Sequence, residues 1–369
     1  MQTQTLPTSG GTAEHTSNNF DFLRFMFAAF VIFSHSFVLT GSGEDPLSLL
    51  TRRQVYLGEI SVDGFFAISG FLITASWLRG RKVLNFLQKR VLRIYPGFLV
   101  VCLFCAFIIG PLGADSAVRY FSEFSTFSFI RHALLLDKLE LPPSFQHNPV
   151  PNQVNGSLWT IKIEFECYFL VALMGIVGAF RRRIVPLVLL VLGSIAYSVY
   201  ALQPLAVSHF PETVSQHLRF FNYFLAGMVF FLYRDRIAYR PPLLIGAILL
   251  LIVAAQLNKL QAFMALPLVY LLMYAAFSAS RAVSGFGRKR DLSYGLYLYA
   301  WPVQQMLAAH FRGAFAPYSL FLAAFPLTLM CAWISWYFVE KPSLSLKPKP
   351  QKQEARGITV VVPSGEPLQ

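Results

Sequence analysis

Residues 20–40 read FDFLRFMFAAFVIFSHSFVLT, a long apolar run that carries Arg24 and His35 in its interior. It holds neither proline nor glycine and is long enough to cross a hydrocarbon layer of ~30 Å as a helix, which takes about 17–25 residues. At about 100° and 1.5 Å per residue, the steps from Arg24 to His35 return to within roughly 20° of the same face, some 16 Å farther along the axis. Ionisable groups at such depth cost about 2–3 kcal/mol or more each and therefore face a protein interior or a wet cavity. The run predicts a membrane helix with two functional side chains looking the same way from opposite depths.

The rest of the sequence extends that reading. Of 369 residues, 55% are hydrophobic and 13% charged, with a mean hydropathy of +0.53, too much apolar surface for one soluble core. We expect an all-α, polytopic membrane protein with about ten transmembrane helices, near 20–39, 57–78, 92–110, 158–180, 184–202, 219–233, 241–257, 261–279, 292–310 and 317–339. Residues 1–18 read as a disordered N-terminal segment, 19–342 as the membrane domain and 343–369 as a disordered Lys/Pro-rich tail. Residues 1–19 contain no Lys or Arg, so no signal peptide is expected.

The formal charge of +13 describes topology better than nucleic-acid binding. Alternate connections hold 21 Lys and Arg, the others 8. The positive-inside rule then puts both termini in the cytoplasm, and the basic Arg288–Arg290 run is read as part of that bias. Four cysteines, Cys102, Cys105, Cys167 and Cys331, fall in predicted spans; the CxxC of the first two is read as helix packing, and no metal is implied. Two sizeable outer connections, 111–157 and 203–218, are where a large polar acceptor could dock. His132, His147, His209 and His217 on or near them read as interfacial histidines.

Depth along each span sorts the buried polar groups into two layers. His35, Asp63 and Glu164 fall in an outer layer, Arg24, Arg90 and Arg93 in an inner one. Lys162 and Glu166, four apart, are expected to pair on one helix face, leaving Glu164 free for a site. Asp63 could orient helices or accept bonds from Arg or Tyr. Arg90 and Arg93, at i and i+3, suit a phosphate clamp as well as a topological anchor. Cations within and an imidazole ~16 Å farther out suit a long acyl carrier with an anionic head, such as coenzyme A.

Several separated motifs resemble the acyltransferase-3 family of integral-membrane acyltransferases. NNFDFLRFMFAAFVIFSH (18–35) matches its Arg and His pattern, VDGFFAISGFLIT (62–74) its acidic second-helix signature, and FLQKRVLRIYP (86–96) its paired arginines. NGSLWTIKIEFECYFL (155–170) resembles its Ser, Leu, Trp and Glu element, at Ser157, Trp159 and Glu164; DLSYGLYLYAWPVQQ (291–305) and YFVEKP (337–342) resemble its closing segments. Ala300 stands where many relatives have His, and the tail after Pro342 is too short for the fused extracytoplasmic domain of some.

The resemblance implies transfer of an acyl group, acetyl foremost, from cytoplasmic acyl-CoA to a hydroxyl of an extracytoplasmic saccharide or lipid-linked glycan. His35 would be the general base or a transient acyl carrier, Glu164 its orienting carboxylate, and Arg24 a group polarising the thioester or holding phosphate. Arg90 and Arg93 would bind the donor, and Asp63, Ser157 and Trp159 would support substrate or structure. Acyl-CoA is a donor substrate and no permanently bound cofactor is expected. Location in a bacterial inner membrane among its lipids, and a possible separate periplasmic partner, complete the expectation. A proton-coupled transporter or flippase of an anionic solute is the alternative.

Overall fold

The computed structural model describes residues 18–202, 212–278, 286, 290–311 and 314–348. The expectations for residues 1–17, His209 and the 203–211 part of the 203–218 connection, Arg288, Lys289 and the tail from 349 lie outside the described residues. Every regular element among those described is helical. The first seven helices are α1 (Phe20–Leu39), α2 (Pro46–Leu50), α3 (Leu57–Gly80), α4 (Val83–Phe104), α5 (Gly110–Gly113), α6 (Ala117–Glu123) and α7 (Thr126–Leu134). They are followed by α8 (Trp159–Ile176), α9 (Ile184–Leu202), α10 (Glu212–Leu232), α11 (Pro241–Gln256), α12 (Leu260–Phe263) and α13 (Ala265–Ser278). α14 (Ser293–His310), α15 (Pro317–Ser335) and α16 (Lys341–Ser345) complete the chain. π-helical turns at Cys105–Ile109 and Trp336–Glu340 carry α4 into α5 and α15 into α16.

A helix lies in each of the ten stretches anticipated as spans, and five helical runs have the length and hydropathy to cross a membrane: Phe20–Leu39, Leu57–Gly80, Val83–Gly113, Ile184–Leu202 and Pro317–Ser345. Two shorter ones, Pro241–Gln256 and Ala265–Phe277, are also apolar. α14 fails the hydropathy test for a physical reason: it is buried almost throughout, and its polar side chains bond to neighbouring backbone. Gln304 donates to Ile32 O (2.8 Å) and Ser36 Oγ (2.7 Å), and Tyr294 donates to Ile94 O (2.8 Å). By contrast, α9 and α11 turn Val188, Leu192, Ile195, Ile245, Leu249 and Ile252 outward, the apolar surface of a membrane protein.

α1 and α3 sit at the centre. α3 packs against α1, α8 and α10, while α1 also meets α14 and α15. Ala28, Ile32, Leu296, Ala300 and Ala332 form a fully buried seam between α1, α14 and α15, so Ala300 is packed among apolar neighbours. The buried carboxylate of Asp45 ties α1 to the starts of α2 and α3: it accepts from Ser34 Oγ (2.6 Å), Ser48 N (2.9 Å) and Leu57 N (2.8 Å).

Lys162 and Glu166 do not pair with each other. Lys162 Nζ reaches Asp137 Oδ2 at 2.8 Å in the connection after α7, and Glu166 Oε2 meets His217 Nε2 of α10 at 3.0 Å. Neighbouring segments bring an opposite or complementary group within reach of each side chain.

The α3–α10 contact is backbone against backbone. A Cβ on Gly70 would lie 2.0 Å from the Phe224 carbonyl oxygen, and one on Gly227 1.9 Å from that of Ala67, so small residues set the spacing here. Gly70→Leu or Gly227→Leu is expected to destabilise the bundle by about 1–3 kcal/mol or more, read as a lower unfolding temperature in detergent. Gly246→Ala, where nothing lies within 4 Å, is the control and leaves that temperature unchanged or higher.

Candidate active site

Two cavities open along the face that Arg24 and His35 share. The first, of about 120 Å³, is lined by Arg24 of α1, Ser69 of α3, Arg90 and Arg93 of α4, and Glu164 and Tyr168 of α8. The second, of about 440 Å³, is lined by His35 and Ser34 of α1, Glu59 of α3, Ser157 and Trp159 at the start of α8, and Arg219 of α10. Val62, Thr160 and Tyr297 line both. Thr160 Oγ1 and the Tyr297 hydroxyl are 2.6 Å apart, and Tyr297 donates to Ser157 O at 3.0 Å. These bonds build the waist between the two chambers.

The arginines of the first cavity differ in their partners. Asp291, just ahead of α14, accepts from Arg24 Nη1 at 2.7 Å and from Arg93 Nη2 by a very short contact. Burial alone would raise the Asp291 pKa, but the Arg24 and Arg93 guanidinium groups and the Ser293 hydroxyl hold it well below the usual carboxylate range. Arg93 also faces Glu340 at 3.8 Å. Arg90 makes cation–π contacts with Phe86 (5.8 Å) and Tyr168 (5.7 Å), and its buried Nε has no hydrogen-bond partner. Arg90 thus keeps donors available for an anion.

Glu164, expected beside His35, lines this first cavity, and its bonds are to other residues. It accepts from Tyr168 OH (2.5 Å) and Ser69 Oγ (3.3 Å). Thr160, Glu164 and Tyr168 are spaced i, i+4, i+8 on one face of α8, so Glu164 lies a turn, about 6 Å, past the waist on the arginine side. Depth counted from the end of a span placed it beside His35 because that count could not locate the waist.

In the second cavity His35 packs its ring edge-on to Trp301, with centroids 4.8 Å apart, and its Nδ1 is buried without a hydrogen-bond partner. Asp63 is fully buried behind the wall, held by Arg219 Nε and Nη2 at 2.9 and 2.8 Å; Arg219 also lies 3.5 Å from Glu59. The carboxylate anchors α10 to α3 instead of meeting the imidazole. Ser157 and Trp159 are set by the segment before α8, which is stitched to α14: Asn155 Nδ2 donates to Leu298 O (3.0 Å), and Trp301 Nε1 to Gln153 O (3.1 Å).

The roles of Arg219, Asp291 and Tyr297 escaped the sequence reading. Arg219 counted as a loop charge because the sixth span was begun at that residue, whereas α10 starts at Glu212. Asp291 and Tyr297 lie in a quoted motif but carry no spacing relation to α1 or α8; only the packing brings them to the cavities.

Residues 17–338 match the Acyl_transf_3 family model, described as an acyltransferase domain. A protein named O-acetyl transferase from Shigella phage Sf6 is 27% identical over 341 residues, 90% of this chain and 97% of that protein. Nodulation protein 10 of Rhizobium leguminosarum bv. viciae is 27% identical over 369 residues, 92% of this chain and 97% of its own length. No solved structure matches the chain. With the match spanning both cavities and all the helices that build them, the chain belongs to the acyltransferase-3 family and is a membrane O-acyltransferase.

Proposed function

We infer that the protein moves an acyl group, acetyl foremost, from cytoplasmic acyl-CoA to a hydroxyl of a saccharide or lipid-linked glycan on the outer side of a bacterial inner membrane. One observation carries this reading: an arginine-lined cavity and a histidine-lined cavity meet at Val62, Thr160 and Tyr297. That arrangement lets a thioester enter from one face and an alcohol from the other without a shared aqueous path. The charge asymmetry of the connections supports a topology with the arginine end and both termini on the cytoplasmic side and about ten crossings. A separate periplasmic protein receiving the acyl group is compatible with the same geometry.

The donor's phosphates would be held chiefly by Arg90, since Arg24 and Arg93 are already bound to Asp291. Lys347, just past α16, adds a cation: burial first, then Arg93, Arg90 and Lys89, push its pKa down to about 8 against the opposing pull of Asp291. Crowded cations of this kind favour an anionic ligand. In the second cavity His35 takes the proton of the acceptor hydroxyl, whose oxygen attacks the thioester carbonyl; the carbon–sulfur bond breaks, and the proton passes to the departing thiolate. Trp159 and Glu59 line the same space and suit a sugar's apolar face and hydroxyl groups.

Proteoliposomes given labelled acetyl-CoA inside and glycan acceptor outside test the reading: wild-type protein labels the acceptor, and His35→Ala lowers labelling by about 100-fold or more while unfolding at the same temperature. Transport of a solute with no covalent product would refute it. Arg90→Ala is expected to raise the donor KM about tenfold with a smaller change in kcat. Because Lys347 is charged below pH ~8 and neutral above, the donor KM should rise between pH 7 and 9, and rise less in Lys347→Arg.

A further inference from the structure

Two buried polar atoms of the second cavity, His35 Nδ1 and Ser157 Oγ, have no hydrogen-bond partner, and Ser157 Oγ is the hydroxyl of the two. Ser34 donates to Asp45, Thr160 shares a hydrogen bond with Tyr297, and Arg219 is held twice by Asp63. Ser157 is 2% exposed, and its buried hydroxyl has no hydrogen-bond partner. Its backbone, however, is pinned on both sides: Ser157 N donates to Asn155 Oδ1 at 3.1 Å, and Ser157 O accepts from Tyr297 OH at 3.0 Å and Thr160 Oγ1 at 3.3 Å. The residue is therefore fixed while its side-chain donor is left unused, an arrangement that folded proteins seldom keep without a ligand to satisfy it.

Its place gives that donor a use. Ser157 lines the cavity that contains His35, and its carbonyl is bonded to the two waist residues Thr160 and Tyr297. A thioester reaching from the arginine side meets the alcohol at this waist. Resting on the acyl-transfer reading above, we propose that Ser157 Oγ donates a hydrogen bond to the thioester carbonyl oxygen and stabilises the negative charge that develops there. As the acceptor oxygen attacks the thioester carbon and gives its proton to His35, the C=O π electrons move to the carbonyl oxygen, and Ser157 keeps its own proton throughout. When the tetrahedral centre collapses, the C=O bond re-forms, the C–S bond breaks, and His35 returns its proton to sulfur. A preorganised donor of this type contributes through the transition state more than through donor binding.

Ser157→Ala, Ser157→Cys and His35→Ala, each in the full chain in proteoliposomes, test the assignment with acetyl-CoA and a hydroxyl acceptor. The expected result for Ser157→Ala is a loss of about 100-fold in kcat, a donor KM within about twofold of wild type and an unchanged unfolding temperature. Ser157→Cys, a weaker donor of similar size, falls between them, and keeps the test open should the alanine variant fail to fold. Intact-protein mass after acid quench shows no acyl adduct in wild type. Wild-type kcat in Ser157→Ala, or an acyl group recovered on Ser157, overturns the proposal while leaving acyl transfer itself standing. A wild-type protein that moves no acyl group refutes the underlying reading instead.

Discussion

Asp291 is the carboxylate on which two of the interior arginines depend. Arg24 belongs to α1 and Arg93 to α4, and Asp291 precedes α14, so one pair of contacts ties three helices that are distant in sequence. A guanidinium group cannot be deprotonated to escape an apolar setting, so it must be neutralised by a partner or kept wet by a cavity. Here both solutions are used side by side. Arg24 and Arg93 have their acid, while Arg90 faces the cavity with aromatic rings behind it. That division leaves one cation free to recognise an anion without leaving the bundle with unbalanced charge.

The same logic operates at the other end. Asp63 is fully enclosed and holds Arg219, which closes the wall of the larger cavity. Around these ion pairs the helices approach closely, as at Gly70 and Gly227, and the seam of Ala28, Ala300 and Ala332 keeps α1 against α14 and α15. Between these flanks Tyr297 borders both cavities. Ala300 contributes to that packing and is not among the residues lining the two cavities.

Two cavities of unequal size share lining at Thr160 and Tyr297, whose hydroxyls are hydrogen-bonded to each other. The smaller chamber is lined by Arg24, Arg90 and Arg93, the larger by His35, Trp159 and Arg219. The 27% identity to the phage O-acetyl transferase and to Nodulation protein 10 over nearly their whole lengths concerns this same framework.

Helix positions were legible in the sequence because hydrophobic length is a local property: α1 and α9 lie where the apolar runs begin and end. The shared face of Arg24 and His35 was likewise fixed by helical periodicity alone, and both side chains line open space. What only the tertiary structure decided was partnership. Glu164 went to the arginine cavity, Asp63 to Arg219, Lys162 to Asp137 and Glu166 to His217. Distance along one helix says nothing of how far its neighbour is shifted or rotated, and a charge buried among apolar residues pairs with whichever opposite group that packing brings within reach.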